Sequence, residues 1–291
     1  MNVQYLIFVP LIFLACGKVL LQNMISHNYL KNPTDVTLYN CIVFGGMTVI
    51  YLVMNGFNLP HPLIWLYGAA YGLLLAAYQV VYTLAFQRGP LSHTVLIISF
   101  NNVFTIAFGI LYCDESLALL NVIGLVCMFV SLLLTVDFQQ AKQHQFNVVW
   151  FILALSATTV MGLSNIVLKL QKMALPDQDI SMLLVTYVFG TCGLFLFYQF
   201  QSRVLKQKRQ VALLRSRVTV MLTVSALLGA YFVLYLIGVG SIPSVIFFPV
   251  VNIAPTTLLS VWGILVYKDK LSNQQKWSMA FGIAATMLLC L

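Results

Sequence analysis

Charge is what this chain lacks. Only 8% of its 291 residues are Asp, Glu, Lys or Arg, against about a quarter in soluble domains, so a water-facing globular surface is excluded. Acid is the scarcer sign, with seven carboxylates: Asp35, Asp114, Glu115, Asp137, Asp177, Asp179 and Asp269. Each falls in a loop or near the end of an apolar run. Six cysteines occur with no Cys-x-x-Cys, so neither a disulfide framework nor a zinc site is indicated. Also missing are His-Glu-x-x-His, Gly-x-Ser-x-Gly and the Walker Gly-x4-Gly-Lys. Without them there is no expected zinc hydrolase, serine hydrolase or nucleotide-driven motor. No catalytic residue, metal or cofactor is expected, and the chain does not read as an enzyme.

Apolar sequence is what is present, at 61% of residues. A membrane-spanning helix takes about 20 residues, which allows roughly ten spans. Pro, Gly, Asn and charge divide the runs at about 3–26, 35–55, 61–87, 92–112, 117–136, 148–172, 179–201, 218–238, 243–267 and 272–291. The fold class is therefore an all-α integral membrane protein with ten transmembrane helices. Met1 to Cys16 resembles a signal peptide, but no Lys or Arg precedes its apolar run, and it reads as a retained first helix. The polar stretch 138–147 divides a first five-helix repeat, 1–137, from a second, 148–291.

The halves repeat. Tyr78-x3-Tyr82-x7-Pro90 returns as Tyr231-x3-Tyr235-x7-Pro243 at an offset of 153. Gly109-Ile110-Leu111 with Leu117 returns as Gly263-Ile264-Leu265 with Leu271 at 154, and the segment 17–22 aligns with 164–169 at 147. Five spans per repeat is odd, so the second repeat enters the bilayer from the opposite side. Inverted repeats are the usual construction of secondary transporters, whose halves exchange conformations around a midplane site. The basic residues set the orientation. With the N-terminus outside, 12 of the 15 Lys and Arg fall on the inner face, and only Lys169 and Lys172 fall outside. Both termini are expected outside, in a bacterial cytoplasmic membrane.

An acid-containing turn follows each fourth span, Asp114-Glu115-Ser116-Leu117 and Lys268-Asp269-Lys270-Leu271, and a glycine-bearing helix follows each turn, with Gly124 and Gly282. With ten spans in two inverted repeats, this pattern resembles the drug/metabolite transporter superfamily, most closely its EamA-like branch, over the whole chain. In that family the turn reads Gly-Glu-x-Leu. The resemblance implies two EamA-like five-helix repeats and transport without cofactor. Two departures stand out. The family's proline in the fourth span is Asn101 here, while the ninth keeps Pro255; and the family's termini are cytoplasmic, against the charge count. Small multidrug exporters related to the family carry a glutamate in the first helix, where this chain has Lys18.

A lysine within a span is a functional hypothesis by default. Lys18 and Gln22 share a helical face, as Asn165 and Lys169 do in the repeat, and are candidate donors to an anionic or zwitterionic cargo; snorkelling of Lys18 to the interface is the alternative. Tyr78 with Tyr82, and Tyr231 with Tyr235, are one helical turn apart. They are candidates to line a cavity, with plain interhelical packing as the alternative. Asn101, Asn102 and Asn252 are candidates to touch cargo or to bond between helices. Pro249 and Pro255 break the ninth helix's hydrogen bonding. The expected function is secondary transport of a small polar or amphipathic metabolite by alternating access, by exchange or facilitated movement. An organic-cation, choline-like or drug carrier using a tyrosine cage is the alternative. A membrane-embedded lipid-modifying enzyme or scaffold is an alternative of another class. The expected partners are a small-molecule substrate and the lipid bilayer, without nucleic acid; a homodimer is compatible with the sequence.

Overall fold

The computed structural model describes residues 3–29, 33–88, 94, 97–98, 100–115, 118–135, 148–203, 218–262 and 273–290. After a 3-10 turn, Val3–Ile7, the described residues form ten α-helices: α1 (Phe8–Tyr29), α2 (Pro33–Met54), α3 (Pro62–Arg88), α4 (Asn101–Tyr112), α5 (Leu119–Thr135), α6 (Val148–Ala174), α7 (Asp179–Arg203), α8 (Val218–Ser241), α9 (Ser244–Trp262) and α10 (Asn273–Cys290). Among the described residues there is no strand. Helices α2, α3, α6, α7 and α8 are long and apolar enough to cross a membrane; the described apolar parts of the other five are shorter. The chain is an integral, multi-pass membrane protein.

Local chemistry explains the helix ends. Pro33 and Pro62 open α2 and α3, where a missing N–H costs nothing and the fixed φ suits the first turn. Asp35 and Asp179 lie in the first turns of α2 and α7, and Arg88, Lys172 and Arg203 in the last turns of α3, α6 and α7; each charge complements the helix dipole. Between α2 and α3, Asn55 and Asn58 exchange side-chain to backbone hydrogen bonds of 2.6 and 2.8 Å. Hydroxyls inside the helices donate back to carbonyls four residues earlier, Thr48 to Phe44 at 3.0 Å and Ser225 to Met221 at 2.9 Å, as a solvent without donors or acceptors requires.

The helices cluster as two compact units, each drawing on both sequence halves. One comprises Met1–Cys16, Ala85–Ile166 and Ser241–Leu291 and is called here the asparagine unit; the other comprises Gly17–Leu84 and Val167–Gly240 and is called the tyrosine unit. In the tyrosine unit α2 packs on α7 antiparallel: Cys41 and Thr48 meet Thr191, Tyr51 stacks on Tyr187 at 5.6 Å, and Ser181 donates to Asn55 at 2.8 Å. Beside them α3 runs parallel to α7 at very close range. A Cβ on Gly72 would stand 2.2 Å from the Thr186 carbonyl oxygen, and one on Gly68 2.7 Å from Val185. The pair is a small-xxx-small motif that brings two backbones together.

In the asparagine unit α5 packs on α10. Ser131 Oγ donates to the Ser278 carbonyl at 2.7 Å, and Ser278 Oγ returns a bond to the Ser131 carbonyl at 2.8 Å. Met128, Ile253 and Ala285 form its buried apolar cluster, and α9 packs along α4 and α10. In both units, helices five apart in chain order pair with each other: α2 with α7, α5 with α10, and α4 with α9.

Candidate functional site

The tyrosine unit gathers most of the candidate residues. Lys18, half-buried on α1, places its Nζ 5.5 Å from the ring centroid of Tyr231 on α8. Tyr231 packs against Tyr235 at 5.7 Å and edge-on against Phe232 at 5.2 Å. On α3, Tyr78 and Tyr82 pair at 5.2 Å and 41°, much as Tyr231 and Tyr235 do at 5.7 Å and 37°. The repeat-equivalent tyrosines therefore share a local geometry as well as a spacing. The side chain of Gln22 lies outside the described residues.

Three further tyrosines join this group, and the sequence reading did not single them out. Tyr51 on α2 and Tyr187 on α7 are fully buried, and Tyr71 on α3 is 1% exposed. Tyr187 stands edge-on to Phe232 at 5.8 Å, and it lies within electrostatic reach of Tyr51, Tyr71 and Tyr231. Tyr71 likewise reaches Tyr231 and Tyr235. The signal for Tyr71 was present in the sequence: it precedes Tyr78 by seven residues, two helical turns on the same face. Tyr187 has no repeat counterpart among the motifs, and only the packing of α7 reveals it.

Lysine placement is unequal. Lys169 Nζ donates to the Val239 carbonyl at 3.3 Å, in the last turn of α8, where a cation meets the negative end of a helix dipole. Lys172 bonds Asp179 and the Pro176 carbonyl. Lys18, by contrast, forms no salt bridge with a carboxylate among the described residues.

The asparagines lie in the other unit and bond one another. Asn165 on α6 donates to Asn101 Oδ1 at 3.4 Å, and Asn101 donates to the Ile98 carbonyl at 2.7 Å. Asn252 on α9 donates to Asn102 Oδ1 at 2.6 Å, and Asn102 Nδ2 reaches Met128 Sδ at 3.8 Å. Asn101, Asn102 and Asn165 are buried, while Asn252 is exposed. The acid turn has a structural partner in the same unit. Glu115 Oε2 accepts from the Val245 N–H at 3.2 Å, capping the first turn of α9. The carboxylate lies against Gly109, where a Cβ would stand 2.5 Å from that oxygen. The glycine ahead of the acid turn is thus required by the cap itself. The second acid turn, residues 268–271, lies outside the described residues.

With this arrangement in view, the first half of the chain finds its relatives. Residues 4–137 match the EamA-like transporter family. The resemblance to the drug/metabolite transporter superfamily is shown by that match, and it points to a membrane transporter. Among solved structures 28 chains match. One, a crystal structure whose description names no activity, is similar at a TM-score of 0.69 and 13% identity, covering 97% of this chain and 98% of that one; at that identity the likeness shows the fold alone. No curated protein matches the sequence. The EamA-like family is a transporter family. Among the described residues no three His, Cys, Asp or Glu stand together to hold a metal ion.

Proposed function

We propose that the protein is a secondary transporter that moves a small anionic or zwitterionic metabolite by alternating access, with Lys18 as the anchor for the negative group. The carrying observation is the lysine ammonium on the Tyr231 ring with no carboxylate salt bridge among the described residues. An ammonium inside an apolar helix is costly unless something offsets its charge, and an anionic cargo would do so. The same contact weighs against the organic-cation reading. A cation is held by the face of an aromatic ring, and the Tyr231 face already holds the protein's own cation. Tyr235, Tyr78 and Tyr82 would line the cargo path, while Asn101, Asn102, Asn165 and Asn252 would hold α4, α6 and α9 together.

The antiparallel packing of α2 on α7 supports inverted repeats, because equivalent helices of inverted repeats run in opposite directions. The ten helices are read as spans of two such repeats, 1–137 and 148–291. The charge distribution supports both termini outside, and a bacterial cytoplasmic membrane is the proposed setting. Reporter fusions at residue 291 and within 203–217 test this: a cytoplasmic C-terminus with an external 203–217 segment would refute it.

Uptake into proteoliposomes tests the function itself, using labelled anionic, zwitterionic, cationic and neutral metabolites with wild type, Lys18→Gln and Lys18→Arg. Saturable uptake of anions or zwitterions, lost in Lys18→Gln and partly kept in Lys18→Arg, is the expected result. Uptake of cations alone, indifferent to either substitution, would overturn the proposal.

A further inference from the structure

The tyrosine unit contains more hydrogen-bonding capacity than Lys18 accounts for. Tyr71, Tyr187 and Tyr231, on three different helices, are 1%, 0% and 9% exposed. Tyr187 Oη is buried with no hydrogen-bond partner. Yet the three lie within electrostatic reach of one another. Their neighbour Tyr51 shows the ordinary outcome, donating to the Gly229 carbonyl at 2.8 Å. Buried tyrosine hydroxyls almost always find a partner, so the unpartnered Tyr187 hydroxyl, with Tyr71 and Tyr231 within reach and Lys18 over the Tyr231 ring, calls for a ligand to complete it.

We propose that Tyr71, Tyr187 and Tyr231 form the hydrogen-bonding half of the cargo site, and that the cargo is a hydroxylated organic anion. This rests on the reading of Lys18 as the anion anchor. An ammonium can only donate, whereas a phenolic hydroxyl both donates and accepts. A carboxylate or phosphate therefore suits Lys18, and groups that both donate and accept suit the tyrosines. Hydroxyls on the cargo meet that requirement. A plain alkyl anion would leave the Tyr187 hydroxyl unmet, and a site built around hydroxyls rejects ligands that lack them.

The test uses matched probes with and without hydroxyls: glycerate against propionate, gluconate against hexanoate, and glycerol phosphate against propyl phosphate. Thermal shift and counterflow are measured for wild type, Tyr71→Phe, Tyr187→Phe, Tyr231→Phe and Lys18→Gln. Wild type should prefer the hydroxylated member of at least one pair by about tenfold or more. Each Tyr→Phe should weaken that member about five- to tenfold and leave the plain one unchanged. The ligand-free melting temperature of Tyr187→Phe should not fall, because the lost hydroxyl had no partner. Binding of no probe, absence of a hydroxyl preference, or a drop in ligand-free stability of Tyr187→Phe would overturn the inference. If Lys18→Gln loses the anions while the tyrosine variants behave as wild type, the hydroxyl inference alone fails. If Lys18→Gln binds every anion normally, the anchor fails and takes this inference with it.

Discussion

The two units differ at the polar side chains the sequence singles out. In the asparagine unit polar groups answer one another: Asn165 meets Asn101, Asn252 meets Asn102, Ser131 and Ser278 exchange bonds, and Glu115 caps α9. In the tyrosine unit Thr48 meets Thr191 and Tyr51 meets the Gly229 carbonyl, but Lys18 rests on a ring and Tyr187 Oη has no partner. The contrast is sharpest at one repeat position, where Lys18 in the first half aligns with Asn165 in the second. The neutral residue is bonded within the protein, and the charged one is in contact with a ring. A polar group already bonded holds helices in register; one left without a polar partner retains the capacity to bind something else. On the proposed function, that difference would leave structure to one unit and recognition to the other.

The largest expected effect would come from removing the charge at that position. Lys18→Ala should reduce transport by about 30-fold or more, since truncating one partner of a desolvated charge interaction costs at least about 2 kcal/mol; Asn165→Ala should leave the substrate KM within about twofold. Equal transport losses, read as initial uptake rates, would erase the distinction between the units. Overpacking comes next. Gly72→Ala puts a methyl where the Thr186 carbonyl already stands, and should destabilise the protein by about 1–3 kcal/mol, read as a fall in melting temperature in detergent. Asn102→Ala removes the acceptor of the Asn252 bond and should cost about 1 kcal/mol of stability with little change in substrate affinity. Smallest is the serine pair: a double-mutant cycle with Ser131→Ala and Ser278→Ala should give a coupling of about 0.6 kcal/mol. A coupling near zero would show that the reciprocal bonds add nothing.

The helices were legible because each apolar run is long and its breakers are strong. The expected span 61–87 is the helix Pro62–Arg88, and 179–201 is Asp179–Arg203. Pairing between helices five apart was not legible, since it depends on contacts between residues about 150 positions apart, such as Cys41 with Thr191. The site divided in the same way. Tyr78, Tyr82, Tyr231 and Tyr235 declare themselves by repetition, and Lys18 by its charge. Tyr187 gave no signal, because a single tyrosine in an apolar helix looks like any packing aromatic until its hydroxyl is seen to lack a partner. Glu115 was visible as part of a motif, but its role as the cap of α9 needs the fold, since its acceptor contact spans 130 residues.

The most direct measurement is a thermal-stability screen of purified wild type, Lys18→Ala and Asn165→Ala against anions, zwitterions, cations and neutral solutes. A ligand at 100 times its dissociation constant adds about 2.7 kcal/mol to native stability, a readily observed shift. The account predicts stabilisation of wild type and Asn165→Ala by anions or zwitterions, and its loss in Lys18→Ala. Stabilisation by cations that persists in Lys18→Ala would contradict it and return the site to a tyrosine cage.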